Sequence, residues 1–240
     1  AARIDSYDTI NGGSTTGMTL AAGATINVDA DEITHMLLDE TENRLTIGDQ
    51  KITVTNAITV DTANLLAATT TGVVTATIDT SETVTELATL SADGGTNALT
   101  IAIRGADATA ATATQLNAIN DATSVAVDLA NVTGLAASSL ADLGTLATAI
   151  TNNEFSNATG ITTIAVSGAT IDATTLAARI DSYDTINGGL TTGMTLASGA
   201  TINVDADEVD HLLADETANR LTISDQLITV TNAITAVSYT

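Results

Sequence analysis

The chain has 240 residues, of which 29 are Asp or Glu and only 6 are Lys or Arg, for a formal net charge of −23. That balance excludes a protein that grips phosphate backbones or anionic membrane surfaces, because both would be repelled. With no Cys, disulfide scaffolds and thiolate metal sites are excluded as well, and with no Trp and only three Tyr and one Phe the chain offers few aromatic platforms for glycans.

Apolar residues make up 44% of the chain and recur periodically, so it is no disordered acidic tail. No run approaches the roughly 20 apolar residues of a membrane span. The main feature is a long internal repeat: residues 1–59 return at 177–235, a period of about 176, with nine positions changed. The changes pair positions that share an environment. Ile33 becomes Val209 and Met36 becomes Leu212, keeping apolar volume as a core requires. Thr34 becomes Asp210, Glu42 becomes Ala218 and Gly48 becomes Ser224, as expected of solvent positions. Leu38 becomes Ala214, which indicates a half-exposed site. Ser14 becomes Leu190 and Lys51 becomes Leu227, so the surroundings of those two sites are expected to differ between copies. Ala1 matches Ala177, inside the phrase IDATTLAARI, and Val237 to Thr240 fall where Asp61 to Asn64 stand. The expectation is a polypeptide that continues in both directions.

In chain order, strands are predicted at 18–20, 25–28, 45–47, 52–54, 73–78, 99–103, 125–129 and 161–166. Most alternate Thr with Val, Ile or Leu, which wets one face and buries the other. Helix starts are predicted at Val28-Asp29, Val60-Asp61, Ile78-Asp79, Thr112 to Gln115, Ala136 to Ser139, Ile171-Asp172 and Val204-Asp205. Apolar residues follow them at helical spacing, as in Leu116 and Ile119, or Leu176 and Ile180. Asp29 with Glu32, Asp79 with Glu82 and Asp205 with Glu208 have the spacing of capping boxes. Turns fall at Gly12-Gly13, Gly94-Gly95, Gly134, Gly160 and Gly188-Gly189, where positive φ is expected.

So many small side chains bury little area each, and helices this short are marginal alone. The fold expected is therefore a β-solenoid with short helices in its turns, a mixed β/α repeat solenoid. It would be one elongated domain over 1–240 made of stacked rungs, each completed by its neighbour.

The wording Ala113-Thr114-Gln115-Leu116-Asn117-Ala118-Ile119-Asn120-Asp121, like residues 164–176, resembles the Ala/Thr/Asp-rich repeat regions of giant secreted cell-surface proteins of cyanobacteria and other aquatic bacteria. The resemblance implies an extracellular structural array and transfers no catalytic residue.

Asp29, Asp31 and Glu32 recur as Asp205, Asp207 and Glu208, with Asp210 added. Hard cations such as Ca2+ take several carboxylate oxygens, so these are the candidate metal residues. Helix capping and charge at a helix N-terminus are the competing explanation. The nonapeptide calcium repeat G-G-x-G-x-D does not occur, and Ala92-Asp93-Gly94-Gly95 reads as a turn. His35 and His211 share one repeat position, with no second ligand for a zinc set. No G-x-S-x-G, Walker or dinucleotide glycine pattern occurs. The function expected is a non-enzymatic, extracellular structural repeat protein forming a filament, sheath or surface layer with copies of itself. A calcium-dependent bacterial adhesin stalk is the alternative. An ice-binding face on Thr53-Val54-Thr55 and Thr75-Ala76-Thr77 ranks last.

Overall fold

Alternating Thr and apolar runs followed by Ala/Leu runs become, in a computed structural model, a recurring succession of strand, turn, strand and helix. The structure describes residues 17–91, 96–189 and 192–232. The Gly12-Gly13 and Gly94-Gly95 turns lie outside them.

By packing, the chain divides into two compact units. The first holds the described residues up to Glu82, with Glu86–Ala102 and Ala118–Ala126. The second holds Thr83–Thr85, Ile103–Asn117 and the chain from Val127. The elements in order are β1 (Met18–Thr19), β2 (Thr25–Val28), α1 (Ile33–Thr41), β3 (Leu45–Thr46), β4 (Lys51–Val54), α2 (Val60–Thr69), β5 (Val74–Thr77), α3 (Val84–Leu87) and β6 (Ala98–Thr100). Then come α4 (Ala113–Asp121), β7 (Val127–Asp128), β8 (Gly134–Ser138), α5 (Leu140–Thr151), β9 (Phe155–Ser156), β10 (Thr163–Val166), β11 (Thr170–Asp172) and α6 (Ala173–Ile186). The last are β12 (Gly193–Leu196), β13 (Thr201–Val204), α7 (Val209–Thr217), β14 (Leu221–Thr222) and β15 (Leu227–Val230).

In the first unit β1 pairs with β3, and β2-β4-β5-β6 form a second sheet. In the second unit the sheets are β7-β9, β8-β10-β12-β14 and β11-β13-β15. Every pairing is parallel, so each needs a crossover. Register places like on like. Leu135, Ile164, Met194 and Leu221 form one row through four strands, each at most 4% exposed. Against this sheet system α5 and α6 pack through Leu143, Leu146, Leu176, Ile180 and Tyr183, all fully buried. The Tyr183 hydroxyl donates to the Leu143 carbonyl at 3.2 Å, as a buried phenol requires.

The expected β-solenoid is corrected by this architecture. The strands do not form one continuous stack; they fall into five small parallel sheets, and seven helices lie among the described residues. The fold is α/β. The physical reason is helix length: the Ala/Leu runs propagate into helices of 12 residues in α5 and 14 in α6, while the strands hold two to five residues. Helices of that size are a packing layer in their own right rather than the corners of a β-rung. The solenoid filament is corrected with it, and this architecture lends no support to an extracellular adhesive stalk.

Helix ends are strongly specified. Thr59, Ser139 and Asp172 accept the N–H of the residue three positions on, opening α2, α5 and α6. Thr112 and Gln115 form a reciprocal capping box at α4. At the C-terminal ends, Asn43, Asn153 and Asn219 adopt left-handed φ of 58°, 63° and 57°. The following N–H of Arg44, Glu154 and Arg220 returns to the carbonyl five residues back, a Schellman closure. Gly188 plays this role after α6, at φ 69°, as expected of that turn.

The two sequence copies fold alike wherever both are described. Met18 faces Leu45 as Met194 faces Leu221, and Thr25 faces Lys51 as Thr201 faces Leu227. Gln50 and Gln226 each accept a local N–H at 2.7 Å and donate to the preceding turn, at Ala21 and Ala197.

Gly72 lies against that turn. A Cβ there would sit 2.7 Å from the Asp49 carbonyl oxygen and closer still to that of Gln50. Gly72→Ala is expected to destabilise the first unit by roughly 1–3 kcal/mol. Asn153→Gly, relieving a left-handed non-glycine, is expected to be neutral or stabilising by up to ~1 kcal/mol. Urea denaturation of both variants checks the contrast.

Candidate functional site

The acidic triplets of the two copies occupy matching places. Asp29 and Asp205 close β2 and β13, in extended backbone for Asp29. Their carboxylates do not cap the following turn. Each accepts instead from a Thr hydroxyl on the neighbouring segment, Thr55 for Asp29 and Thr231 for Asp205. Their backbone carbonyls take the Glu32 and Glu208 N–H groups. Glu208 accepts from the Thr174 hydroxyl at 2.5 Å. Asp31 and Asp207 are exposed. Among the described residues no group of three or more His, Asp or Glu side chains converges in a way that could hold a metal ion. The third expected capping pair is also redirected: Asp79 accepts the Ser81 N–H at 2.8 Å, while Glu82 reaches across to the Val60 N–H at the start of α2, 3.1 Å away.

That reach is a recurring device. The Val84 N–H is accepted by Asp107 at 2.8 Å, and the Ala113 N–H by Ser138 at 2.8 Å. The first amides of α2, α3 and α4 are thus closed by side chains over 20 residues downstream. Within the first unit Asn97 accepts the Val74 N–H at 2.9 Å, and Thr123 both accepts from and donates to the Leu99 backbone. Thr53 stands beside Thr75 in the same sheet.

The densest electrostatic cluster escaped the sequence reading. Arg220 follows α7 and lies 2.5 Å from Asp215, 3.5 Å from Asp184 and 3.6 Å from Asp181. Arg44 repeats the first contact with Asp39 at 2.6 Å. Asp39 and Asp215 are buried. Their signal was an Asp and an Arg five positions apart, unchanged between copies. Beside Arg220 lies a cleft of about 210 Å3 lined by Asp181, His211 and Asp215. A groove of about 550 Å3 runs between α5 and α6 past Arg179. Its hydroxyls on Thr148, Thr151, Ser182 and Thr185 donate to carbonyls of their own helices. His35 on α1 and His211 on α7 are both exposed. No helix among the described residues is long and apolar enough to cross a membrane.

No family model, no curated protein and no solved structure matches this chain.

Burial raises the pKa of Asp215, opposed by the Arg220 charge and aided by Asp181 and Asp184. Burial also pushes Asp107 upward, but hydrogen bonds from Arg104 and the Val84 N–H, with the guanidinium charge, hold it below its ordinary value. Asp172 is lowered by the Thr175 hydroxyl and N–H, and Asp79 by the Ser81 N–H and hydroxyl. Asp215 therefore binds a proton more readily folded than unfolded, and its cost is relieved as pH falls from neutral. The depressed carboxylates stabilise the fold above 3.8 and lose that contribution as pH falls through their folded values. The melting temperature is expected to rise into mild acid and to collapse below about pH 4. Asp215→Asn should flatten the rise and spare the collapse. A melt that declines steadily from pH 7 contradicts this.

Calcium at the triplets makes a separate prediction. If Ca2+ were held there, the melt would fall in chelator and recover with Ca2+ but not with Na+ at equal ionic strength, and Asp31→Asn with Asp207→Asn would abolish the response. Identical melts with and without chelator contradict it.

Proposed function

We propose that this chain is a structural repeat protein that performs no catalysis and assembles with copies of itself, or with further repeats of the same kind, into a surface layer or sheath. The observation that carries the reading is where its buried polar side chains go. Gln50, Asn97, Asp107, Thr123 and Ser138 are all buried, and each is bonded to backbone amides or carbonyls of another segment. Chemistry that an enzyme would aim at a substrate is here spent on joining one strand–helix segment to the next. Within the repeated stretch the Gln50 joint recurs at Gln226 and the Thr55–Asp29 joint at Thr231–Asp205, as expected of a module made for repetition.

The resemblance to secreted cell-surface repeats and the cysteine-free acidic composition support a place outside the cell. The charge of −23 keeps separate molecules apart at low salt, so assembly is expected to need screening. The test is electron microscopy and light scattering of the purified protein, concentrated in ~0.15 M salt, where the Debye length is ~8 Å. Ordered assemblies growing with concentration and salt are expected. A protein that stays monomeric at every concentration contradicts the reading.

A further inference from the structure

Among the described residues, Arg44, Arg104 and Arg220 each bind an Asp, whereas the fourth guanidinium, that of Arg179, has no carboxylate partner. It is held in place all the same. Its Nε–H donates to the Leu140 carbonyl of α5 at 3.2 Å. The guanidinium lies against Gly144, where a Cβ would come within 2.6 Å of its central carbon. The acids on the same two helices are committed elsewhere: Asp142 accepts from Ser139 and Thr114, and Asp181 and Asp184 lie against Arg220. In a chain with 29 Asp or Glu and only 6 Lys or Arg, this is a positioned cation whose partner does not come from its own helices.

Arg179 lines the groove of about 550 Å3 between α5 and α6, a volume inside the ~300–1,000 Å3 usual for small-molecule sites. The other polar side chains there have one property in common. Thr148, Thr151, Ser182 and Thr185 each give the hydroxyl hydrogen to the carbonyl four residues back, at 2.7–2.9 Å, so towards a ligand they offer only lone pairs. The groove therefore presents one donor fork of single positive charge beside a row of acceptors. Phosphate and sulfate accept on every unprotonated oxygen and would set lone pairs against lone pairs, and a second negative charge is repelled by the net charge of −23. A plain carboxylate pairs with the fork and leaves the hydroxyl oxygens unused. The match is a single carboxylate, which a guanidinium binds through two parallel hydrogen bonds, carried on a body rich in hydroxyl donors.

We propose that the groove between α5 and α6 binds a sugar acid, one carboxylate on a polyhydroxylated ring, with the carboxylate on Arg179 and ring hydroxyls donating to the Thr148, Thr151, Ser182 and Thr185 oxygens. No aromatic side chain lines the groove, so the grip rests on one charge pair and hydrogen bonds, and the affinity expected is about millimolar. The groove lies wholly inside the second unit. Its occupancy is therefore read on the monomer and does not depend on the assembly proposed above.

The test is an NMR titration of backbone amides and arginine side chains in dilute protein at ~0.15 M salt, with glucuronate, glucose, acetate and inorganic phosphate as probes. Glucuronate is expected to give saturable shifts at Gly144, Thr148, Arg179 and Thr185. Glucose, which lacks the carboxylate, and acetate, which lacks the hydroxyls, should each bind at least about tenfold more weakly. Arg179→Gln should lose glucuronate binding. Gly144→Ala, which keeps the charge but displaces the guanidinium, should weaken it, and covers the case in which Arg179→Gln does not fold by circular dichroism. Thr148→Val with Thr185→Val should weaken glucuronate and leave acetate unchanged, a split that a bare anion spot would not give. Methyl β-glucuronide, with its anomeric carbon closed as in a saccharide, separates the two sources of this ligand: binding equal to glucuronate admits a residue within a chain, and loss of binding restricts the site to the free acid. Absence of saturable shifts with glucuronate, or acetate or phosphate binding as tightly, overturns the proposal.

Discussion

Parallel pairing between short strands is the constraint on which everything else depends. A two- to four-residue strand makes too few hydrogen bonds to persist alone, and a parallel partner must come from a distant part of the chain. Each segment is therefore stable only because its neighbours hold its register, through an apolar row on one face and side-chain bonds to backbone at the turns. Met194 between Ile164 and Leu221 is the former; Gln226 reaching the Ala197 carbonyl is the latter.

From this follows the odd composition. A chain of Ala, Thr and short aliphatics cannot anchor itself on large aromatic side chains, so stability is distributed over many similar joints. Thr serves twice, as a strand former and as a donor to its neighbour, as Thr55 does to Asp29 and Thr123 to Leu99. Four of the helices, α1, α5, α6 and α7, are ended by one fixed device, an Asn or Gly in the left-handed region, which returns the chain sharply to the next strand. Arg44 and Arg220 reinforce this turn: backbone N–H and guanidinium both bind the same Asp, Asp39 or Asp215.

Much of this was legible where the signal is local. The Thr-Ile-Asn-Val strands and the Asp172 and Thr112 helix starts lie where alternation and capping chemistry put them. The solenoid expectation failed because periodicity marks where a helix begins but not how far it packs. The 14 residues of α6 are held by Tyr183 and Ile180 against α5, a contact no window of sequence contains. Gly134 was read as a turn, yet it opens β8, where a side chain would collide with the Thr163 hydroxyl of β10. β9 is too short to carry a period. The capping box expected at Asp29 failed for a related reason: the bonding partner of its carboxylate lies 26 residues on, beyond any capping motif, while the Arg220 cluster draws on two helices.

The most direct measurement is amide hydrogen exchange on dilute, monomeric protein, comparing sister amides of identical local sequence. Neighbour-held strands predict Ile52 strongly protected and Ile228 weakly, with the order of copies reversed at Thr201 and Thr25. Equal protection within each pair would show that a segment's own sequence, rather than the segments beside it, sets its stability, and would contradict the account.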